Sequence, residues 1–336
     1  MRREALAAPA AVARLLATDG AHVRELAANL RRTPPRAMLT LARGSSDHAA
    51  HFFAYLVMAR LGHLVTSLPM SLITLHPPRL DCQGLVALAF SQSGQSPDLL
   101  LPTRHFRQGG ARTVAFVNDA DSPLAEAAEW LLPLHAGVET SVAATKSYIA
   151  QLVAGARLLA EWEGDPDFMA ALQALPDALH AATLCDWSAA LPVLADADRL
   201  FVVGRGSGLA VALEAALKFK ETCGIQAEAF SGAEVKHGPM ALVHDGFPML
   251  ILAPRGPAQA GLLALAQDMR ERGARVLLAA PAGTAGAELT LPTSGHEDLD
   301  PICSVQAFYP MVEALARERG LDPDAPRNLA KVTRTR

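Results

Sequence analysis

Six short apolar runs punctuate the chain, each ending at a turn-forming or polar residue. In the first half they are AMLTLA (37–42) before Arg43-Gly44-Ser45-Ser46, GLVALAF (84–90) before Ser91, and RTVAFV (112–117) before Asn118. The second half has RLFVVG (199–204) before Arg205, PMLILA (248–253) before Pro254, and ARVLLAA (274–280) before Pro281. Runs of this length without polar alternation are those of parallel strands covered by helices on both faces. The helix-period segments between them complete the pattern of an α/β fold.

The runs repeat. Arg43-Gly44-Ser45 and Arg205-Gly206-Ser207 lie 162 residues apart, and so do Gly94 and Gly256, and Thr113-Val114 and Arg275-Val276. Three landmarks at one offset point to a duplicated αβα domain. Residues 1–35 read as a leading helical arm that stops at Pro34-Pro35. Residues 36–160 form the first domain, 161–195 a helical connection, 196–320 the second domain, and 321–336 a tail with proline twice and no periodic pattern.

Composition narrows the class. The chain has 336 residues, 51% hydrophobic and 19% charged, which suits a compact globular protein with full cores. A net charge of −4 provides no basic footprint, so nucleic acid is not expected as a partner, and an anionic ligand must be held by local groups. Cys82, Cys185, Cys223 and Cys303 are widely spaced with no Cys-x-x-Cys pair, which fits a reducing cytoplasm and neither a zinc site nor a disulfide framework. Glu4 and Arg14 interrupt the alanine-rich opening, against a signal peptide. No apolar run reaches membrane-spanning length, so no membrane partner is expected. His48, His51, His135 and His296 show no metal spacing, and no metal or cofactor is expected.

Two segments carry chemistry. Ser91-Gln92-Ser93-Gly94-Gln95-Ser96 follows a buried-type strand and precedes Pro97-Asp98, a plausible first helical turn. Hydroxyls, an amide and the open N–H groups of a helix start wrap a phosphate without any lysine. The alternative is a merely polar turn, and the strand-end position favours a ligand. Ser45 and Ser46, at the preceding strand end, reach towards the same crevice. Gly204-Arg205-Gly206-Ser207-Gly208 fails as a dinucleotide fingerprint because Leu209 stands where the third glycine belongs. In the second segment, Glu214, Lys218 and Glu221 follow i, i+4, i+7 spacing on one helical face. That face is either a solvated salt-bridged stripe or an acid/base surface. His237 follows in a Lys-His-Gly-Pro turn that leaves its imidazole on a loop.

From about residue 36 to the C-terminus the chain resembles the sugar isomerase (SIS) domain proteins, in particular the isomerase portion of glucosamine-6-phosphate synthase and its stand-alone deaminase relatives. The resemblance rests on SQSG at 91–94, on ETSVAATK at 139–146, where Ala144 replaces the usual hydroxyl residue, on ALKFKE with EVKHGP at 216–239, and on PRNLAKVT at 326–333. It implies two tandem αβα SIS domains of flavodoxin-like, parallel-sheet type. By that resemblance Ser46, Ser91, Gln92, Ser93 and Ser96 bind the sugar phosphate, and Val142 and Ala143 line the sugar. Glu221 moves the proton between C1 and C2, Glu214 and Lys218 support it, and His237 opens the sugar ring from the neighbouring subunit of a homodimer. Lys331 forms a Schiff base under a lid formed by the tail, and its amine must be neutral to attack, which burial or a nearby cation would favour.

The synthases carry an N-terminal glutaminase domain, for which residues 1–35 are too short, and a serine after the tail lysine, where this chain has Val332. Both departures imply a deaminase that converts glucosamine 6-phosphate into fructose 6-phosphate and ammonia. The alternatives are a fructosamine-6-phosphate deglycase, an ammonia-dependent synthase, and a non-catalytic sugar-phosphate sensor.

Overall fold

The structure, a computed structural model, describes residues 1–76 and 78–331. Its ten strands form two five-stranded sheets in which every neighbouring pair runs parallel. The first sheet contains β1 (Ala37–Leu41), β2 (Val65–Ser67), β3 (Leu85–Ser91), β4 (Arg112–Val117) and β5 (Trp130–Pro133). The second contains β6 (Arg199–Gly204), β7 (Gln226–Ser231), β8 (Pro248–Leu252), β9 (Arg275–Pro281) and β10 (Leu289–Leu291). The order is β2-β1-β3-β4-β5 in one and β7-β6-β8-β9-β10 in the other, the same winding twice. β1 and β6 begin 162 residues apart. The fold is therefore α/β with two tandem parallel-sheet repeats, and the offset read in the sequence is a duplication of topology.

The six apolar runs all became strands, and they are the three central strands of each sheet. In β3 and β4 the side chains of Val86, Leu88, Phe90, Val114 and Phe116 have no exposure, and Phe90 stacks on Phe116 at 4.3 Å between ring centroids. A strand flanked by neighbours and capped by helices above and below buries every side chain, so its sequence is continuously apolar. The second repeat builds its core the same way from Phe201, Val203, Met249, Ile251 and Leu278.

The described chain divides into two compact units. One comprises Met1–Pro9, Thr140–Thr145 and Ala174–Leu329, and the other Ala10–Glu139, Lys146–Gln173 and Ala330–Arg336. Each is thus assembled from separate stretches of chain. The opening residues form two helices, Arg2–Ala17 and Gly20–Arg32, and the second buries Val23, Leu26, Ala27 and Leu30. Among the described residues no helix is long and apolar enough to cross a membrane.

Candidate active site

In the unit that contains the first sheet, β3 ends at Ser91 and the chain turns through 92–96 into the helix Pro97–Gln108. The turn is stapled from within. Ser91 Oγ accepts from Gly94 N at 2.9 Å, and Ser93 Oγ accepts from Gln95 N at 3.3 Å. Gly94 has φ +64°, and a methyl group there would fall 2.1 Å from Ser122 Oγ, so glycine is required. The result is a cavity of about 370 Å³ lined by Ser46, Ser91, Gln92, Ser93 and Ser96 together with Arg43, Gly44, Phe90, Leu99 and Lys331. Serine hydroxyls at a helix N-terminus suit an oxyanion, because the first-turn N–H groups have no partner within the helix. The cavity also carries two cations, Lys331, which the family resemblance implies at the sugar, and Arg43, which it does not. Arg43 lies 3.4 Å from the buried Asp98, and Lys331 stands at the wall. Gln151, buried on the helix Lys146–Glu163, donates from Nε2 to Ser46 Oγ at 3.0 Å and orients that hydroxyl.

Lys331 Nζ donates to Glu139 Oε2 at 2.9 Å. The Glu139 side chain has no solvent exposure, and it is fixed by Ser147 N to Oε1 at 3.1 Å and Ser147 Oγ to Oε2 at 2.7 Å. Lys146 Nζ donates to Val138 O at 2.6 Å, so both ends of the segment that presents Glu139 are held. The sequence reading expected burial or a cation beside Lys331; the structure supplies a buried carboxylate instead.

In the other unit, Glu214, Lys218 and Glu221 lie on the helix Gly208–Cys223. Glu214 and Lys218 have no exposure and Glu221 keeps 20%, which rejects the solvated stripe. Lys218 Nζ is 3.4 Å from Glu214 Oε1 and also bonds Glu221 Oε2, while Tyr309 OH donates to Glu214 Oε1 at 3.3 Å. Burial alone would push the Lys218 amine down, but the attraction of Glu214 and Glu221 outweighs it and holds the proton above the usual lysine range. Lys218 is thus a fixed ammonium. Glu221 alone of the three lines a cavity, about 360 Å³, together with Gly320 and with Leu321, Asp322, Ala325, Pro326 and Arg327 of the tail. The tail is therefore not hanging loose up to Arg327; Val332 and Thr333 lie outside the described residues.

The remaining expected residues do not line that Glu221 cavity. Val142 N donates to Asp324 O at 3.1 Å. Ala143 O accepts from Ser141 Oγ at 3.0 Å and Thr145 Oγ1 at 3.2 Å. His237 ends the short turn Glu234–His237 and is exposed, followed by Gly238 at φ +142°. Among the described residues no group of His, Cys, Asp and Glu is arranged to hold a metal ion.

The SIS domain model matches residues 33–160 and 193–280. The chain belongs to the SIS domain family. The isomerizing glutamine–fructose-6-phosphate aminotransferase of Aeropyrum pernix is 35% identical over 316 residues, 88% of this SIS chain and 50% of that protein. The chain spans about half the length of the curated relatives it matches. A Silicibacter pomeroyi structure, described as a candidate phosphosugar isomerase, is 44% identical with a TM-score of 0.91, covering 96% of this chain and 99% of that one. Glucosamine-6-phosphate deaminase from Thermotoga maritima shares the fold at a TM-score of 0.74 and 21% identity, over 98% of this chain and 100% of its own.

The second SIS repeat shows why the serine-lined turn occurs once. At the matching strand end, β8 is followed by Pro254-Arg255-Gly256-Pro257, without hydroxyls. Arg255 closes that turn on Asp300 at 2.7 and 2.9 Å and on Ser294 O at 2.8 Å. Three polar residues of this SIS chain were missed from the sequence: Arg43, Glu139 and Gln151. The first two had a signal, since Arg43 adjoins the Gly44-Ser45-Ser46 turn and Glu139 heads the 139–146 motif. Gln151 had none, because its reach to Ser46 depends on how two helices pack.

Proposed function

We propose that this chain is a sugar-phosphate aldose–ketose isomerase acting on an amino sugar, converting glucosamine 6-phosphate and water into fructose 6-phosphate and ammonia. The observation that carries the reading is Glu221: the one acid of a sealed Glu–Lys–Glu trio that opens on a cavity, oriented by a fixed ammonium. Such a carboxylate suits proton transfer between adjacent carbons. In the proposed sequence the phosphate binds among Ser46, Ser91, Gln92, Ser93 and Ser96, with Arg43 supplying charge. His237 assists ring opening, a role its exposed turn suits if it serves a second copy of the chain in a homodimer. Val142 and Ala143 contact the sugar through the 139–146 motif. Glu221 removes the C2 proton of the open-chain aldose and returns it to C1, and Lys218 and Glu214 hold it in place. The ketimine at C2 is then hydrolysed directly, or exchanged onto Lys331 as a Schiff base that water cleaves.

The names of the relatives favour a second reading, the reverse amination of fructose 6-phosphate, with ammonia as donor for this chain.

The deciding assay is ammonia release from glucosamine 6-phosphate by this chain, with N-acetylglucosamine 6-phosphate and a fructosamine 6-phosphate as controls. Ammonia release from glucosamine 6-phosphate alone supports the reading; release of the amino acid from the fructosamine, measured in place of ammonia, makes the chain a deglycase. Glu221→Gln should abolish exchange of the C2 proton with solvent while substrate still binds. Undiminished exchange would remove Glu221 from the mechanism.

A further inference from the structure

The ion pair between Lys331 and Glu139 has a chemical use beyond anchoring the tail. Glu139 has no exposed side-chain surface, yet its Oε2 lies 2.9 Å from the one amine in the serine-lined cavity. It accepts from Ser147 N and Ser147 Oγ, so its position is set by the start of the helix Lys146–Glu163 and not by the tail. A lysine ammonium must lose a proton before it attacks a carbonyl, because only the free amine is nucleophilic. The same carboxylate is the nearest base that removes the obstacle, already in hydrogen-bond contact with the proton it must take.

We propose that Glu139 is the proton acceptor and donor for Schiff-base formation at Lys331. The step rests on the sugar-phosphate reading above. Glu139 takes one proton from the Lys331 ammonium, leaving a neutral amine and a neutral carboxyl. The amine attacks C2 of the open-chain ketose; the C–N bond forms and the carbonyl π pair moves to oxygen. A proton passes from nitrogen to that oxygen to give the carbinolamine. Glu139 then returns its proton to the hydroxyl, the C–O bond breaks, water leaves, and a protonated imine on Lys331 remains beside the restored carboxylate. Hydrolysis runs the same steps backwards.

Borohydride reduction of the intact chain in the presence of fructose 6-phosphate, with the labelled residue located by mass spectrometry, reads the step directly. Wild type should be labelled at Lys331 at a rate that changes little around neutral pH. Glu139→Gln should be slowed on the order of 100-fold, the usual worth of a positioned acid/base. Its residual labelling should rise with pH and be restored in part by formate, a small carboxylate standing in for the missing one. Glu139→Asp should keep the wild-type pH profile at a reduced rate. Wild-type labelling of Glu139→Gln, or a loss that neither pH nor formate changes, overturns the proposal. Should Glu139→Gln fail to fold, Ser147→Ala carries the test: it frees Glu139 from one bond and should slow labelling severalfold without changing KM, and an unchanged rate overturns the proposal. Wild type left unlabelled at Lys331 brings down the Schiff-base reading itself, a result distinct from labelled wild type with an indifferent Glu139→Gln.

Discussion

Lys218 and Glu214 face each other at 3.4 Å on one helix with neither side chain exposed. An ammonium taken wholly out of water is tolerated only because carboxylates stand on two sides of it, and Glu221 supplies the second. The pair therefore positions the one acid of the three that reaches a cavity.

Lys218→Met should be among the most damaging single changes in the chain. It strands Glu214 without its countercharge, and removing one partner of a buried pair costs about 3–5 kcal/mol. Denaturant unfolding of Lys218→Met against Lys218→Met/Glu214→Gln checks this: the double variant should recover part of the loss, because a neutral amide still accepts from Tyr309.

The same lysine sets a pH dependence. Its pKa in the folded state is held above the usual lysine value, so the contribution is complete below the unfolded value and lost as pH rises through the folded one. The gap in Tm between wild type and Lys218→Met should stay constant from neutral pH to about 10 and then narrow. Thermal scans across the alkaline range read it, and a gap that stays constant to the highest alkaline pH contradicts it.

Gly94→Ala tests the turn. Its methyl would meet Ser122 Oγ at 2.1 Å and Ser122 Cβ at 2.5 Å, at φ +64°. We expect a stability loss of about 1–3 kcal/mol from the strain and overpacking. Calorimetric titration with inorganic phosphate should show affinity lowered on the order of tenfold or more, since a displacement near 1 Å has that effect on a positioned site.

Gln151→Leu tests the Ser46 hydroxyl. Losing the 3.0 Å bond should raise KM for the sugar phosphate about 2- to 10-fold, matching a net hydrogen bond of about 0.5–1.5 kcal/mol. The helix itself should hold, because the leucine replaces a buried chain of similar size. Steady-state kinetics separates the two: a fall in kcat at unchanged KM would argue against a binding role for Ser46.

The legible part of the fold and its illegible part follow one physical line. β1, β3, β4, β6, β8 and β9 were readable as apolar runs because each is paired on both sides and covered on both faces. The strands that went unread, β2, β5, β7 and β10, are the four sheet edges. QAEAFS in β7 mixes charge with apolar residues, since an edge strand keeps water on one flank. The serine turn at 91–96 was legible for a related reason: hydroxyls directly after a strand with no polar residue are conspicuous.

By itself the sequence determined the α/β class, the duplication at an offset of 162 residues, the serine-rich turn and the Glu214–Lys218–Glu221 spacing, because all of these are local or periodic. Spacing could not say whether that helical face met water or protein; only packing against the helix Asp300–Glu318, which brings Tyr309 to Glu214, decided that it is sealed. Nor could it pair Lys331 with Glu139, which are 192 positions apart in the chain. A contact at that separation has no trace in local propensity, and it exists because the folded unit brings the tail lysine to a carboxylate already fixed by Ser147.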